Sequence, residues 1–200
     1  MQECSAFQNA SQALFQGKPV VFPTDTIYGL GVSVVHAESP DILYEIKQRD
    51  HGKPIAWLIG VSDDLVRYGK DIPEYAKTLA QAYWPGQLTL IVKASDCVPD
   101  AFNSSQNTVA LRMPDNQLAL RLINEIGAPI ATTSANISGQ KPTVSFNEIH
   151  PEVIGQVAAV LFDDEIKSGV ASTIVDCTNE APVVIREGVI STSDILEVCS

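Results

Sequence analysis

The sequence contains no apolar run near the roughly 20 residues that cross a bilayer, and residues 1–10 lack a basic patch followed by an apolar core. A cytoplasmic protein without membrane contact is therefore expected. Cysteine is sparse: the four, Cys4, Cys97, Cys177 and Cys199, never fall at the short paired spacing of zinc or redox motifs, so free reduced thiols are predicted. Histidine is sparser still, with only His36, His51 and His150, and no metal held by protein ligands alone is expected. Basic residues are few, 13 against 24 acidic ones for a net charge of −11, which argues against nonspecific nucleic-acid binding and leaves room only for weak or local RNA contact. The familiar phosphate loops are also missing. No Gly-x-Gly-x-x-Gly follows a strand, and Gly139-Gln-Lys141 lacks the leading glycine and final spacing of a P-loop. Ser134 has no nucleophile-elbow spacing around it and no histidine obviously placed as its base, which disfavours covalent serine chemistry.

What is present is enough apolar material, 45% of 200 residues, for one compact domain over residues 1–200. Phe7, Ala10, Ala13 and Leu14 recur at helical spacing before a stop at Gly17. Val20–Phe22 and the stretch from Tyr28 to Val35 read as two strands joined by a polar corner, Thr24-Asp-Thr26. A helix is predicted over 38–48, a strand over Ile55–Ile59, and a second helix through Tyr75, Leu79 and Ala82. Strands follow at Leu88–Val92 and Thr108–Met113, then a helix capped by Asp115 and ended by Gly127, then a strand at Pro129–Thr132. The last fifty residues read as three strands, Val157–Phe162, Ser172–Asp176 and Val183–Arg186, without helices. Strands interspersed with helices and closed by a helix-free run predict an α/β fold whose sheet mixes parallel and antiparallel pairs.

Several groups could carry chemistry. Lys47 and Arg49 end a helical run and share one side only if the chain turns there, and Lys53 adds a third cation before Pro54, so the loop could gather a polyphosphate. A solvated, positively charged cap on a helix C-terminus fits the same composition. Ser134 and Asn136 follow an apolar strand end, suited to phosphate or ribose hydrogen bonds or to an ordinary polar turn. Arg112 and Arg186 each end a strand, as an anion clamp or as surface residues. Tyr28 could stack on a base or simply pack, and Trp57 and Trp84 read as core or rim.

Taken in order, Phe22-Pro-Thr-Asp-Thr-Ile-Tyr-Gly-Leu-Gly31, Lys47-Gln-Arg49, Trp84-Pro-Gly86, Thr108-Val-Ala-Leu-Arg-Met-Pro114, Thr133-Ser-Ala-Asn-Ile-Ser-Gly139, Ser172-Thr-Ile-Val-Asp176 and Arg186-Glu-Gly188 resemble the YrdC family of threonylcarbamoyl-AMP synthases, over about residues 10–190. The resemblance implies a twisted mixed sheet with flanking helices and a concave pocket. It also implies a nucleotidyltransferase reaction in which L-threonine, bicarbonate and ATP give threonylcarbamoyl-AMP and pyrophosphate. By the same resemblance Lys47, Arg49, Ser134 and Asn136 form the catalytic set, Thr26, Arg112, Thr132 and Ser172 hold L-threonine, and Arg49, Lys53, Thr108, Ser134 and Arg186 contact ATP. Mg²⁺ would arrive on the nucleotide, and the product would pass to a complex that modifies tRNA adenosine beside the anticodon. Three rivals are a noncatalytic nucleotide- or RNA-binding paralogue, a carbamoyl-phosphate chemistry found in much longer chains, and an inactive acidic scaffold, which would leave the clustered polar motifs unexplained. The chain has Leu58 where some members carry histidine, and Asp163–Gly169 lacks their double glycine. Both Lys47 and Arg49 are expected to face solvent, so alanine at either position is expected to abolish turnover with the fold intact.

Overall fold

The computed structural model describes residues 2–51, 55–163 and 165–199. Helix α1 (Gln2–Phe15) buries Phe7, Ala10, Ala13 and Leu14 as one stripe, and the chain leaves it through Gly17 at φ +70°. Strands β1 (Val20–Phe22) and β2 (Gly29–Ser33) pair antiparallel, Val20 opposite Gly31. Helix α2 (Asp41–Lys47) leads to β3 (Ala56–Leu58), and a short α3 (Asp64–Tyr68) and β4 (Gly69–Lys70) come before α4 (Glu74–Tyr83). Strands β5 (Leu88–Ala94) and β6 (Thr108–Arg112), helix α5 (Gln117–Ile126) and β7 (Ile130–Ser134) follow. The chain then runs through α6 (Pro151–Ile154), β8 (Ala159–Val160), β9 (Thr173–Asp176), β10 (Val183–Arg186) and α7 (Thr192–Val198).

These strands form one mixed sheet in the order β10-β9-β5-β6-β3-β7-β2-β1-β8, with β4 paired on β5. The pairs β1–β8, β3–β6 and β5–β9 are parallel; the others are antiparallel. The period-two alternation of strands then decides what each face meets. Val21, Trp57, Leu90, Leu111 and Ala131 point to a core shared with α2, α3 and α4. Their neighbours Val20, Phe22, Leu58 and Ile130 point the other way, into a second core against α1 and α5. That second cover reaches only part of its face, and the rest of the face is left open. Gly31 is required where β2 meets β7: a Cβ there would sit 2.6 Å from Ile130 Cγ2 and 2.8 Å from the Ala131 carbonyl oxygen.

Four expectations are corrected. Helix α3 lies in a stretch with no predicted element. The strand expected over Val157–Phe162 is regular only at Ala159–Val160, opposite Val20 and Val21, although the Ala158 and Leu161 N–H groups also reach the Pro19 and Val21 carbonyls. The end of the chain is not helix-free, since Ser191 and Asp194 form a capping box that starts α7. The cap of α5 is Asn116 rather than Asp115: Asn116 Oδ1 accepts from the Ala119 N–H at 2.9 Å while its Nδ2 donates to Asp163 and Glu165. Asp115 instead uses its backbone N–H, on Asp25 Oδ1. Asn116→Ala is expected to cost more than the roughly 1 kcal/mol of a lost cap, since two carboxylates also lose a donor, and Asp115→Ala to stay within about 0.5 kcal/mol. Urea unfolding of both variants measures the difference.

Candidate active site

The uncovered part of the sheet is the floor of a cavity of about 360 Å³. Register places its residues: Ala56 lies opposite both Ala110 and Thr132, Leu58 opposite Arg112, and Gly29 opposite Ser134, so one face of β3, β6, β7 and β2 lines it. Thr89 and Ile91 of β5, Ile174 of β9 and Ile185 and Arg186 of β10 extend the floor. Past Ile91, Ala110 and Ile185 the groove opens into a second cavity of about 570 Å³.

At one end of the floor, α2 stops because Gln48 turns into the left-handed region at φ 52°. This turn sends Lys47 and Arg49 in different directions, and it overturns the expectation that both face solvent. Lys47 is 3% exposed. Its Nζ donates to the Ser134 carbonyl (2.6 Å) and Oγ (3.1 Å) and to the Asn136 carbonyl (2.7 Å) and Oδ1 (3.2 Å). Three N–H donors facing four oxygens leave nothing over for a ligand. Asn136, also buried, donates from Nδ2 to the Ile137 and Gln140 carbonyls and so fixes the turn that follows β7. Arg49 does reach the cavity, donating to Thr133 Oγ1 at 3.1 Å.

At the other end lies Arg112, 6% exposed. Its Nε donates to the Gly86 carbonyl at 2.9 Å, Nη1 to Thr26 Oγ1 at 2.9 Å, and Nη2 to Asp25 Oδ1 at 2.6 Å. Three of five N–H groups are thus used, and one on each terminal nitrogen is left, the number a carboxylate accepts. Thr26 in turn meets Thr24 Oγ1 at 3.0 Å. Ser172 Oγ lies 2.8 Å from Thr89 Oγ1, and Arg186 donates from Nε and Nη2 to the Ser172 carbonyl. Thr132 turns its hydroxyl onto the Ile130 carbonyl of its own strand, so it offers the cavity an acceptor.

Thr26, Arg49, Arg112, Thr132, Ser134, Ser172 and Arg186 therefore line one cavity. Thr108 lines the adjoining one, its Oγ1 2.9 Å from Ser104 Oγ. Lys47 and Asn136 stand behind the wall, and Lys53 lies outside the described residues. Tyr28, 1% exposed, packs in the core beneath Lys167. Sequence reasoning missed Asp25 and Thr89 as site residues. Asp25 stood in the flagged polar corner, but nothing local tied it to Arg112, 87 residues away.

Residues 12–188 match a family model described as "Telomere recombination" and named Sua5_yciO_yrdC. The chain belongs to the Sua5/YciO/YrdC family. A family relative named threonylcarbamoyl-AMP synthase, from Pyrococcus abyssi, is 37% identical over 183 residues, covering 92% of this chain and 54% of its own length. The chain likewise spans about half the length of the Bacillus subtilis relative, at 54%. The structure of P. abyssi Sua5 complexed with L-threonine superposes with a TM-score of 0.90 at 35% identity, covering 96% of this chain and 56% of that one. Escherichia coli YciO gives 0.85 at 26% identity, covering 97% and 94%. The mixed sheet with flanking helices is thus the family fold.

Burial, and after it the positive charge of Arg49, lower the Lys47 ammonium from 10.5 to about 8. Below pH 8 the group is charged both folded and unfolded, and folding carries the whole burial penalty. Between about 8 and 10.5 the unfolded chain holds the proton more firmly, so this group's contribution to stability rises with pH. Lys47→Met is expected to lose at least about 2 kcal/mol at pH 7, because its four oxygens lose their donor. The gap to the unsubstituted protein should widen as pH is raised from 7.5 to 10, which urea unfolding at several pH values measures.

Proposed function

We infer that this chain makes threonylcarbamoyl-AMP from L-threonine, bicarbonate and ATP. The observation that carries the reading is the pairing, in one groove, of an anchored guanidinium with two donors left over and a second cationic group beside a serine hydroxyl. Arg112 would take the threonine carboxylate, with the hydroxyls of Thr26, Ser172 and Thr132 around it. Arg49, Ser134 and Arg186 would meet the phosphates, and Thr108 and the adjoining cavity would take the rest of the nucleotide. Lys53, from its place in the sequence, would join the phosphate contacts. The family relatives named for this product, and the threonine complex of one, support the same assignment.

The amine of threonine forms an N–C bond to carbon dioxide with loss of a proton, or to bicarbonate with release of water, and gives a carbamate. A carbamate oxygen then forms a bond to the α-phosphorus of ATP as the bond to the leaving pyrophosphate breaks. No protein nucleophile is needed, so the work of the protein is positioning and charge stabilisation by Arg49 and the Ser134 turn. Lys47 and Asn136 act from behind by holding that turn. Among the described residues no three of His, Cys, Asp and Glu gather in a metal-holding group. Mg²⁺ carried by the nucleotide would supply further neutralisation of the phosphates. This makes the chain a nucleotidyltransferase whose product goes to a tRNA-modifying threonylcarbamoyltransferase complex. The net charge of −11 favours weak or no direct tRNA binding. No helix among the described residues is long and apolar enough to cross a membrane.

Pyrophosphate release by the purified protein with ATP and Mg²⁺ should require both L-threonine and bicarbonate, and should fall by about 10- to 200-fold with L-serine, which lacks one methyl group. Arg49→Ala should lose about 100-fold or more of turnover with an unchanged circular dichroism spectrum. ATP binding without any threonine-dependent release would replace this reading with a noncatalytic nucleotide binder.

A further inference from the structure

Asp25 does not line the cavity, yet it touches three elements that build it. Its carboxylate Oδ1 accepts from Arg112 Nη2 at 2.6 Å and from the Asp115 N–H at 3.2 Å. Its backbone carbonyl accepts from the Ser168 N–H at 3.1 Å, on the segment that leads to Ser172. The Asp25 side chain is 11% exposed and that of Arg112 8%, so both charges of the pair are withdrawn from water. Asp25 Oδ2 is buried with no hydrogen-bond donor among the described residues. Among the described residues Arg112 is the one cation bonded to this carboxylate, and Asp25 the one anion bonded to Arg112, since the two other acceptors of that guanidinium are a neutral carbonyl and a neutral hydroxyl.

Two consequences follow from this geometry. The 2.6 Å bond, together with those to Gly86 and Thr26, holds the guanidinium in one orientation, so its two remaining N–H groups are presented in a fixed arrangement. The neighbouring negative charge also cancels much of the field that would draw any small anion to Arg112. Resting on the threonine reading above, we propose that Asp25 is a positioning and selectivity residue: it aims Arg112 at an amino-acid carboxylate and weakens its hold on simple inorganic anions. A ligand must then add contacts of its own, through an amine and a hydroxyl, to bind. This separates an amino acid from free phosphate in a groove that also handles polyphosphate.

The test uses the full chain with Asp25→Ala and Asp25→Asn, following L-threonine and inorganic sulfate binding by titration calorimetry and the kinetics of pyrophosphate release. Asp25→Ala removes both anchor and charge, and should raise the threonine Kd and KM by about tenfold or more, with kcat at saturating threonine and the KM for ATP within about threefold. Asp25→Asn keeps an oxygen for Arg112 and Asp115 but not the charge. It should recover part of the threonine affinity while binding sulfate about fivefold or more tighter than the unsubstituted protein. Unchanged threonine and sulfate affinities in both variants, or a parallel loss toward ATP, would overturn the proposal. Should Asp25→Ala fail to fold, sulfate binding by Asp25→Asn decides alone, and no tightening rejects the idea. Failure of the unsubstituted protein to bind threonine strikes the functional reading instead, and the sulfate comparison still tests the charge on Asp25.

Discussion

An ammonium group taken out of water must find oxygens, and Lys47 finds four of them in a single turn. Much of the groove depends on that requirement. The backbone carbonyl of Lys47 accepts from the Ser138 N–H at 2.9 Å, so side chain and main chain both clasp the segment after β7. Helix α2 cannot shift without dragging Ser134, and Ser134 cannot turn without uncovering a charge. Because Gln48 breaks the helix one residue later, Arg49 is released toward the cavity from the same anchored point. A hydrogen bond to a charged group contributes about 1.5–3 kcal/mol, and an unmade one costs as much, so the turn has one arrangement available rather than several.

The cations of the site are therefore of three kinds. Lys47 is spent on structure. Arg112 is balanced by Asp25, a buried pair in which loss of either partner leaves an uncompensated charge at a cost of about 3–5 kcal/mol. Arg186 donates to the neutral Ser172 carbonyl, and Arg49 reaches the cavity while donating to Thr133 Oγ1. Burial and, after it, the nearby charge of Arg112 hold Arg186 below the usual arginine value, a repulsion that an anion bound between them would relieve.

Where the sequence was legible, the signal was local. The stripe of α1, the Gly127 stop and the limits of β10 follow from spacing and from turn residues within a few positions. A turn between Lys47 and Arg49 was legible, but its effect was not: it was expected to bring the two to one side, and at Gln48 it sends them apart. What failed depended on distant partners. Asp115 and Asn116 are equally good caps by composition, and the choice fell to Asn116 because Asp163 and Glu165 take its amide. Lys47 read as solvent-facing because its four acceptors lie 87 and 89 positions along the chain. Asp25 was visible as a polar corner residue, but not as the counter-charge of Arg112, since only the folded sheet brings them together. The bounds of β8 depend on its pairing with β1, which no pattern within residues 157–162 encodes.

The electrostatics of the whole chain then acquire a physical reading. A net charge of −11 repels a nucleotide at long range, yet the Debye length is about 8 Å at physiological salt, so most of that repulsion is screened before the ligand reaches the groove. Inside, Arg49 and Arg112 stand on a partly buried floor where screening is weaker and each unit of charge acts more strongly. The acidic surface therefore costs a small triphosphate little. It costs an RNA duplex more, because an extended polyanion would have to lay many phosphates against acidic surface rather than insert a few into a pocket. On the reading proposed above, a groove of this construction favours a nucleotide over a nucleic acid, because its few cations lie within a pocket rather than along a surface.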